Sequence, residues 1–192
     1  SRANANAIFV DSDDDQLKFT TGASGTTTVD VVTESQTQTL TIKTVTNALV
    51  TNAMIAGGAA LTVTAATHAG KIIALDTAAG TTITLPAATA TGNVYKFLVT
   101  VTATSNSHII QVANATDEFR GYVVQDASEA TAPNIFWASD NDDTITLNRT
   151  TTGLAAQGEY FCVIDAVSGV FFVQGYSQAS GIEATPFSNA VS

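Results

Sequence analysis

The chain has 192 residues, with 17 acidic side chains against 7 basic ones and a formal net charge of −10. Only 12% of it is charged, about half the usual share, and its Lys and Arg stand singly from Arg2 to Arg149, so no basic stripe for a nucleic-acid backbone can be drawn. It contains no run of 18 apolar residues, so no helical membrane span is expected, and the start SRANANAIFV lacks the charged segment and apolar core of a secretion signal. Threonine fills the place left by charge, with 32 residues. Thr is β-branched and suits the pleated surface of a strand, whereas the helix formers Glu, Lys, Arg and Gln are scarce. The composition predicts an all-β protein.

In chain order, AIFVDSDDDQLKFTTG predicts two short strands, Ala7–Val10 and Gln16–Thr20, joined by an acidic turn, and TTTVDVVTE predicts a third. TESQTQTLTIKTVTNALVTNAMI, residues 33–55, alternates polar and apolar positions through Leu40 and Ile42, then slips phase at Val45. Leu49, Ala53 and Met54 follow at weakly helical spacing, and AGGAA at 56–60 reads as a linker. From residue 60 about ten short apolar runs follow one another with Gly, Asn and Asp turns between them, the signature of a sandwich or barrel. Strands 159–165 and 169–176 are expected to form a hairpin around DAVSG, and Val94–Val101 is expected near the sheet centre. No fixed-period repeat is visible. The predicted organisation is an N-terminal β-rich arm over 1–58, a jelly-roll-like β-sandwich over 59–180 and a polar tail over 181–192.

Residues with reactive chemistry are few. Asp11, Asp13 and Asp15 alternate as at the start of a calcium loop, but the sixth and twelfth positions hold Gln16 and Gly22 where such a loop needs Gly and Glu. They are weak metal candidates at best, and SDNDD at 139–143 is a second acidic turn of the same kind. His68 and His108 read as loop or strand-edge positions without partners at ligand spacing. Cys162, in EYFCVID, reads as an inert thiol in a strand core. Trp137, in NIFWASD, reads as a core residue; on a surface beside Asp140 and Asp142, or with Tyr122, it would instead suit stacking on a sugar. No catalytic set, cofactor or metal is expected, and the chain is not expected to be an enzyme.

AIFVDSDDDQLKFTTGASGTT followed by TQTLTIKTVTNALV resembles the N-terminal segments of tailed-bacteriophage virion proteins. LTVTAATHAGKIIALDTAAGTTITLPAATATGNVYKFLVT, continuing to ATDEFRGYV, resembles a β-sandwich module of phage head-decoration (cement) proteins and fibre proteins. Ile42 departs from the fibre pattern, which has Asn there. The resemblance implies a homotrimer on the capsid surface, made in the host cytoplasm, whose partners are itself and the major capsid protein, with no nucleic acid or membrane. A segment with little apolar surface becomes stable when copies wrap around each other and bury one another's side chains, at about 25 cal/mol per Å². Leu40, Ile42, Val45, Leu49, Met54 and Ile55 are therefore the expected trimer interface, and Ile8, Phe9, Val10, Leu17 and Phe19 the expected capsid contact. The rival expectation is a tail-fibre or receptor-binding module that recognises a host glycan.

Overall fold

The computed structural model describes the backbone of residues 8–10, 17–20 and 28–30, together with residues 54–127, 132–153 and 157–191. The chain divides into two units, Ser1–Leu49 and Val50–Ser192. In the first, β1 (Ile8–Val10), β2 (Leu17–Thr20) and β3 (Thr28–Asp30) form an antiparallel sheet in the order β1-β2-β3. Ile8 lies opposite Phe19, Val10 opposite Leu17, and Lys18 opposite Asp30.

The second unit is a sandwich of two mixed sheets. Its strands are β4 (Ile55–Ala56), β5 (Ala60–Thr62), β6 (Ile72–Leu75), β7 (Thr82–Thr84), β8 (Val94–Val99) and β9 (His108–Gln111). They are followed by β10 (Glu118–Ala127), β11 (Asn134–Trp137), β12 (Thr144–Leu147), β13 (Tyr160–Val167), β14 (Val170–Ala179) and β15 (Phe187–Ser188). One helical turn, α1 (Ala65–His68), interrupts the series. The seven-stranded sheet runs β11-β10-β14-β13-β8-β6-β4 and the five-stranded sheet β15-β12-β9-β7-β5. The hairpin predicted around DAVSG is the β13–β14 pair, and β8 lies inside the larger sheet.

From β4 to β9 the chain alternates between the two sheets, and β4, β6 and β8 stack in parallel in one while β5, β7 and β9 stack in parallel in the other. Three turns of a flattened coil therefore form half the sandwich. Within the all-β sandwich expected, this half departs from a jelly-roll course, because hairpin turns are replaced by crossings from sheet to sheet. AGGAA is one such crossing and not a linker. Gly57 donates its N–H to Ala74 O, and a Cβ on Gly57 would stand 2.5 Å from that same oxygen. The second unit accordingly starts before residue 58.

The core lies between the sheets. Ile73, Phe97, Phe161, Gly175 and Val123 form one inward row across the larger sheet. Leu61, Ile83, Ile110, Ile145 and Phe187 form the facing row of the smaller one. Gly175 makes room for a neighbour, since a Cβ there would come within 2.3 Å of the Phe161 ring. Phe187 is 5% exposed and pairs with β12, so the expected polar tail contains a short edge strand. No helix among the described residues is long and apolar enough to cross a membrane.

Candidate functional site

Among the described residues, several buried carboxylates and both histidines are engaged in hydrogen bonds that hold loops. Asp165, 2% exposed, accepts the N–H groups of Thr89, Ala90 and Thr91 at 2.9, 2.8 and 3.1 Å and the Thr91 hydroxyl at 2.5 Å. Burial pushes its pKa up, but the hydrogen bonds from Thr91, Ala90 and Thr89 outweigh this and hold it below the ordinary carboxylate value. Asp117 accepts the Ala88 N–H and the Asn114 amide in the same manner, and Asp143 binds the N–H groups of Ala190 and Val191. Each carboxylate gathers the donors of a loop that has no ladder partner.

Both histidines are buried, although each stands at the end of an element: His68 closes α1 and His108 opens β9. His68 ends α1 at 6% exposure and accepts the Thr64 N–H at Nδ1. His108 is 0% exposed; its Nδ1 accepts the Thr81 N–H at 2.9 Å and its Nε2 lies 3.3 Å from Val101 O. That pair of contacts fixes the neutral tautomer with the proton on Nε2, and burial lowers the pKa against a smaller opposing effect of Val101 O. Among the described residues no group of three or more His, Cys, Asp or Glu is placed to hold a metal. Asp11, Asp13 and Asp15, like Leu40, Ile42, Val45 and Leu49, lie outside the described residues. In the second acidic turn Asp140 pairs with Arg120, Asp142 accepts the Ser139 N–H, and Asp143 has the partners given above.

The feature not anticipated from sequence is the outer face of the seven-stranded sheet. Its register places Trp137, Tyr122, Gln174, Cys162, Lys96 and Ile72 in one row. Ile135, Val124, Tyr176, Tyr160 and Leu98 form the next. All these side chains are exposed or half-buried, and no carboxylate occurs in either row. Trp137 is 65% exposed, which overturns its core assignment: β11 is the edge strand, and Trp137 lies outward beside Tyr122 with ring centroids 5.0 Å apart. Gln174 donates to the Tyr122 hydroxyl at 2.9 Å. Cys162 is in a strand as expected, but half-buried on this outer face instead of in the core. The alternation in YFCVID was legible; the side that faces inward was not, because Tyr160, Cys162 and Ile164 are as apolar as Phe161 and Val163, and the buried set also holds Asp165.

At the β10–β11 end, Arg120 bonds Glu118 at 2.8 Å and Asp140 at 2.5 Å, and these two acceptors, Asp140 foremost, raise its pKa further. The expected interface residue Met54 is 49% exposed beside the opposite edge, and Ile55 is half-buried in β4. On the smaller sheet, Thr82, Ile109 and Thr146 of one outward row line a shallow groove together with Ala59, Ala79, Gly80, Ser105, Asn106 and Ser107. No family model, curated protein or solved structure matches the chain.

Proposed function

We propose that the protein is a structural virion component, a head-decoration homotrimer that bridges major capsid subunits on the particle surface and carries no catalytic centre or cofactor. The observation that supports this reading is the two-sided apolar character of the seven-stranded sheet. A sheet that is apolar on both faces is stable in water when both are covered. Here one face is covered by the smaller sheet and the other invites assembly. The mechanism is adhesive: added contact area across subunit seams must be broken before the shell opens under the pressure of packaged DNA. The N-terminal arm, with Ile8, Phe9, Val10, Leu17 and Phe19 on its two first strands, is the proposed capsid contact, since short strands can extend a neighbouring sheet edge. Residues 33–55, with Leu40 to Ile55, are proposed to intertwine between protomers. Deleting residues 1–30 is expected to abolish loading onto particles; full loading of the truncated protein rejects the contact assignment. Labelling on intact particles is expected at the head, and labelling at the tail rejects the decoration role.

The exposed Trp137 favours a second reading, a receptor-binding module that stacks a host sugar on Trp137 and Tyr122 with Arg120, Asp140 and Gln174 as hydrogen-bonding rim. Glycan binding lost in Trp137→Ala would select it.

A further inference from the structure

We propose that Gln125, Ser177 and Glu159 bind a hard, oxygen-seeking cation, Ca²⁺, as a structural ion at the end of the sandwich where β10 and β14 finish and β13 begins. The three side chains form a polar inward row one step along from the apolar row of Val123, Gly175 and Phe161. Gln125 lies opposite Ser177 in the β10–β14 ladder. Tyr160 lies opposite Tyr176, so Glu159, the next residue out, comes beside Ser177. Gln125, Ser177 and Glu159 are 0, 0 and 2% exposed. Two observations point to a ligand. Gln125 Oε1 is buried without a hydrogen-bond partner, while the amide nitrogen of the same side chain reaches Ser177 Oγ only at 3.4 Å. A buried acceptor without a donor is costly, and a water or an ion is what meets it. The second observation is the loop that closes over the row. Gly153 in that loop has φ 112°, and a Cβ there would stand 2.7 Å from Ser177 Oγ and 3.4 Å from Glu159 Oε2. Bare backbone therefore lies against both oxygens, in a cradle that any side chain at 153 would fill.

The donor set selects the occupant. An amide oxygen, a hydroxyl and a carboxylate are hard ligands, with no sulfur or imidazole among them, which suits Ca²⁺ and not zinc or copper. Two of the three are neutral, so the row is no cluster of His, Cys, Asp or Glu. The charges nearby favour a cation over an anion. Glu159 is joined at the covering loop by Glu183, whose Oε1 is also buried without a hydrogen-bond partner. The segment carrying Glu183 is tied to that loop by the Ala184 N–H, which donates to Thr151 O at 2.7 Å. Arg149, the basic side chain of the loop, is turned away to donate to Ala103 O at 2.5 Å. Ca²⁺ takes about six to eight oxygens in adaptable geometry, so main-chain carbonyls or water can complete the set, whereas Mg²⁺ keeps its own waters and fits a closed site poorly.

The test uses the full chain, stripped with EDTA, dialysed into chelator-free buffer and held at one protein concentration. Thermal melts in CaCl₂ at about 10 mM are compared with melts in NaCl and in MgCl₂ at equal ionic strength. Ca²⁺ is expected to raise the midpoint by at least about 3 °C over NaCl, as a millimolar site does at roughly tenfold excess of ligand over Kd. Mg²⁺ is expected to raise it less than half as far. Gln125→Leu removes the unpartnered oxygen at nearly constant volume. It is expected to melt no lower than the native protein without Ca²⁺ and to lose the Ca²⁺ shift. Glu159→Gln is expected to weaken the apparent Ca²⁺ affinity at least tenfold. A native protein that Ca²⁺ moves no further than NaCl does overturns the site, the oxygen then being met by water. An equal Ca²⁺ shift in Gln125→Leu overturns it as well, since the ion then sits elsewhere on a chain of net charge −10. Should Gln125→Leu fail to fold, Ca²⁺ titration of Glu159→Gln beside the native protein decides by the same rule.

Discussion

Replacing Asp165 by Ala removes the acceptor of three backbone N–H groups in the loop that links β7 to β8. The loop has no ladder of its own beyond a single bridge between Thr89 and Ser168, and Ala90 is held at φ 61°, a conformation that costs a non-glycine residue free energy. Three hydrogen bonds to a charged acceptor at about 1.5 kcal/mol each give roughly 4–5 kcal/mol. Water reaching the exposed loop recovers part of this, leaving about 3 kcal/mol. That is a large share of the 5–15 kcal/mol typical of a whole domain. Asp165→Asn keeps one acceptor oxygen and is expected to lose about half as much. Urea titration at one fixed protein concentration measures both, with an unchanged slope showing that the transition remains the same. The sign with pH is set by the lowered pKa: the contribution is present above the unfolded carboxylate value and is lost as pH falls through the folded one. A loss below 1 kcal/mol for Asp165→Ala, or an undiminished acid dependence, refutes the account of this carboxylate as the loop's anchor.

His108 resists protonation in the folded state, so the unfolded chain takes up the proton first. Stability is expected to be full above the ordinary value of about 6.5 and to decline as pH falls below it, and His108→Asn, whose Oδ1 can accept from Thr81, should flatten that slope in melts between pH 7 and 5. Gly121 has φ 117°, and a Cβ there would stand 2.0 Å from Val173 O, so Gly121→Ala is expected to lose more than the 1–3 kcal/mol of ordinary overpacking and to express without a cooperative transition. In the dissociated chain Trp137→Ala is expected to change stability by less than about 0.5 kcal/mol, as at other exposed sites, in contrast to the roughly 3–5 kcal/mol of a core aromatic; a thermal melt at high dilution separates the two.

Strand content was legible because period-two alternation and Thr-rich composition act locally. Phe171, Val173, Phe161 and Val163 all lie inward at the period their sequence shows. The coil was not legible, because its stacked positions keep no constant separation. Ile55 to Ile73 is 73 − 55 = 18 residues and Ile73 to Phe97 is 97 − 73 = 24, as the crossings between sheets differ in length. Trp137 and Cys162 were misplaced for a related reason. Flanking apolar residues mark a strand, and only its place in the sheet order says which side is covered. His108 gave no local signal either, since its partners at Thr81 and Val101 come from other loops. Of the buried carboxylates only Asp143 stood in an acidic turn, and nothing local marked Asp165, whose donors lie as far as 76 residues away.

The coil has a consequence for how the chain acquires its shape. Tyr160–Val167 and Val170–Ala179 are adjacent along the chain and close over a short turn, so this pair can form early. The stacked coil strands have no such shortcut: β4, β6 and β8 each need a full passage through the opposite sheet before they meet a neighbour, and β8 completes its pairing only when residues 160–164 are present. During synthesis the first half of the sandwich must therefore wait for the second, and slow, late-closing folding is the expected kinetic signature.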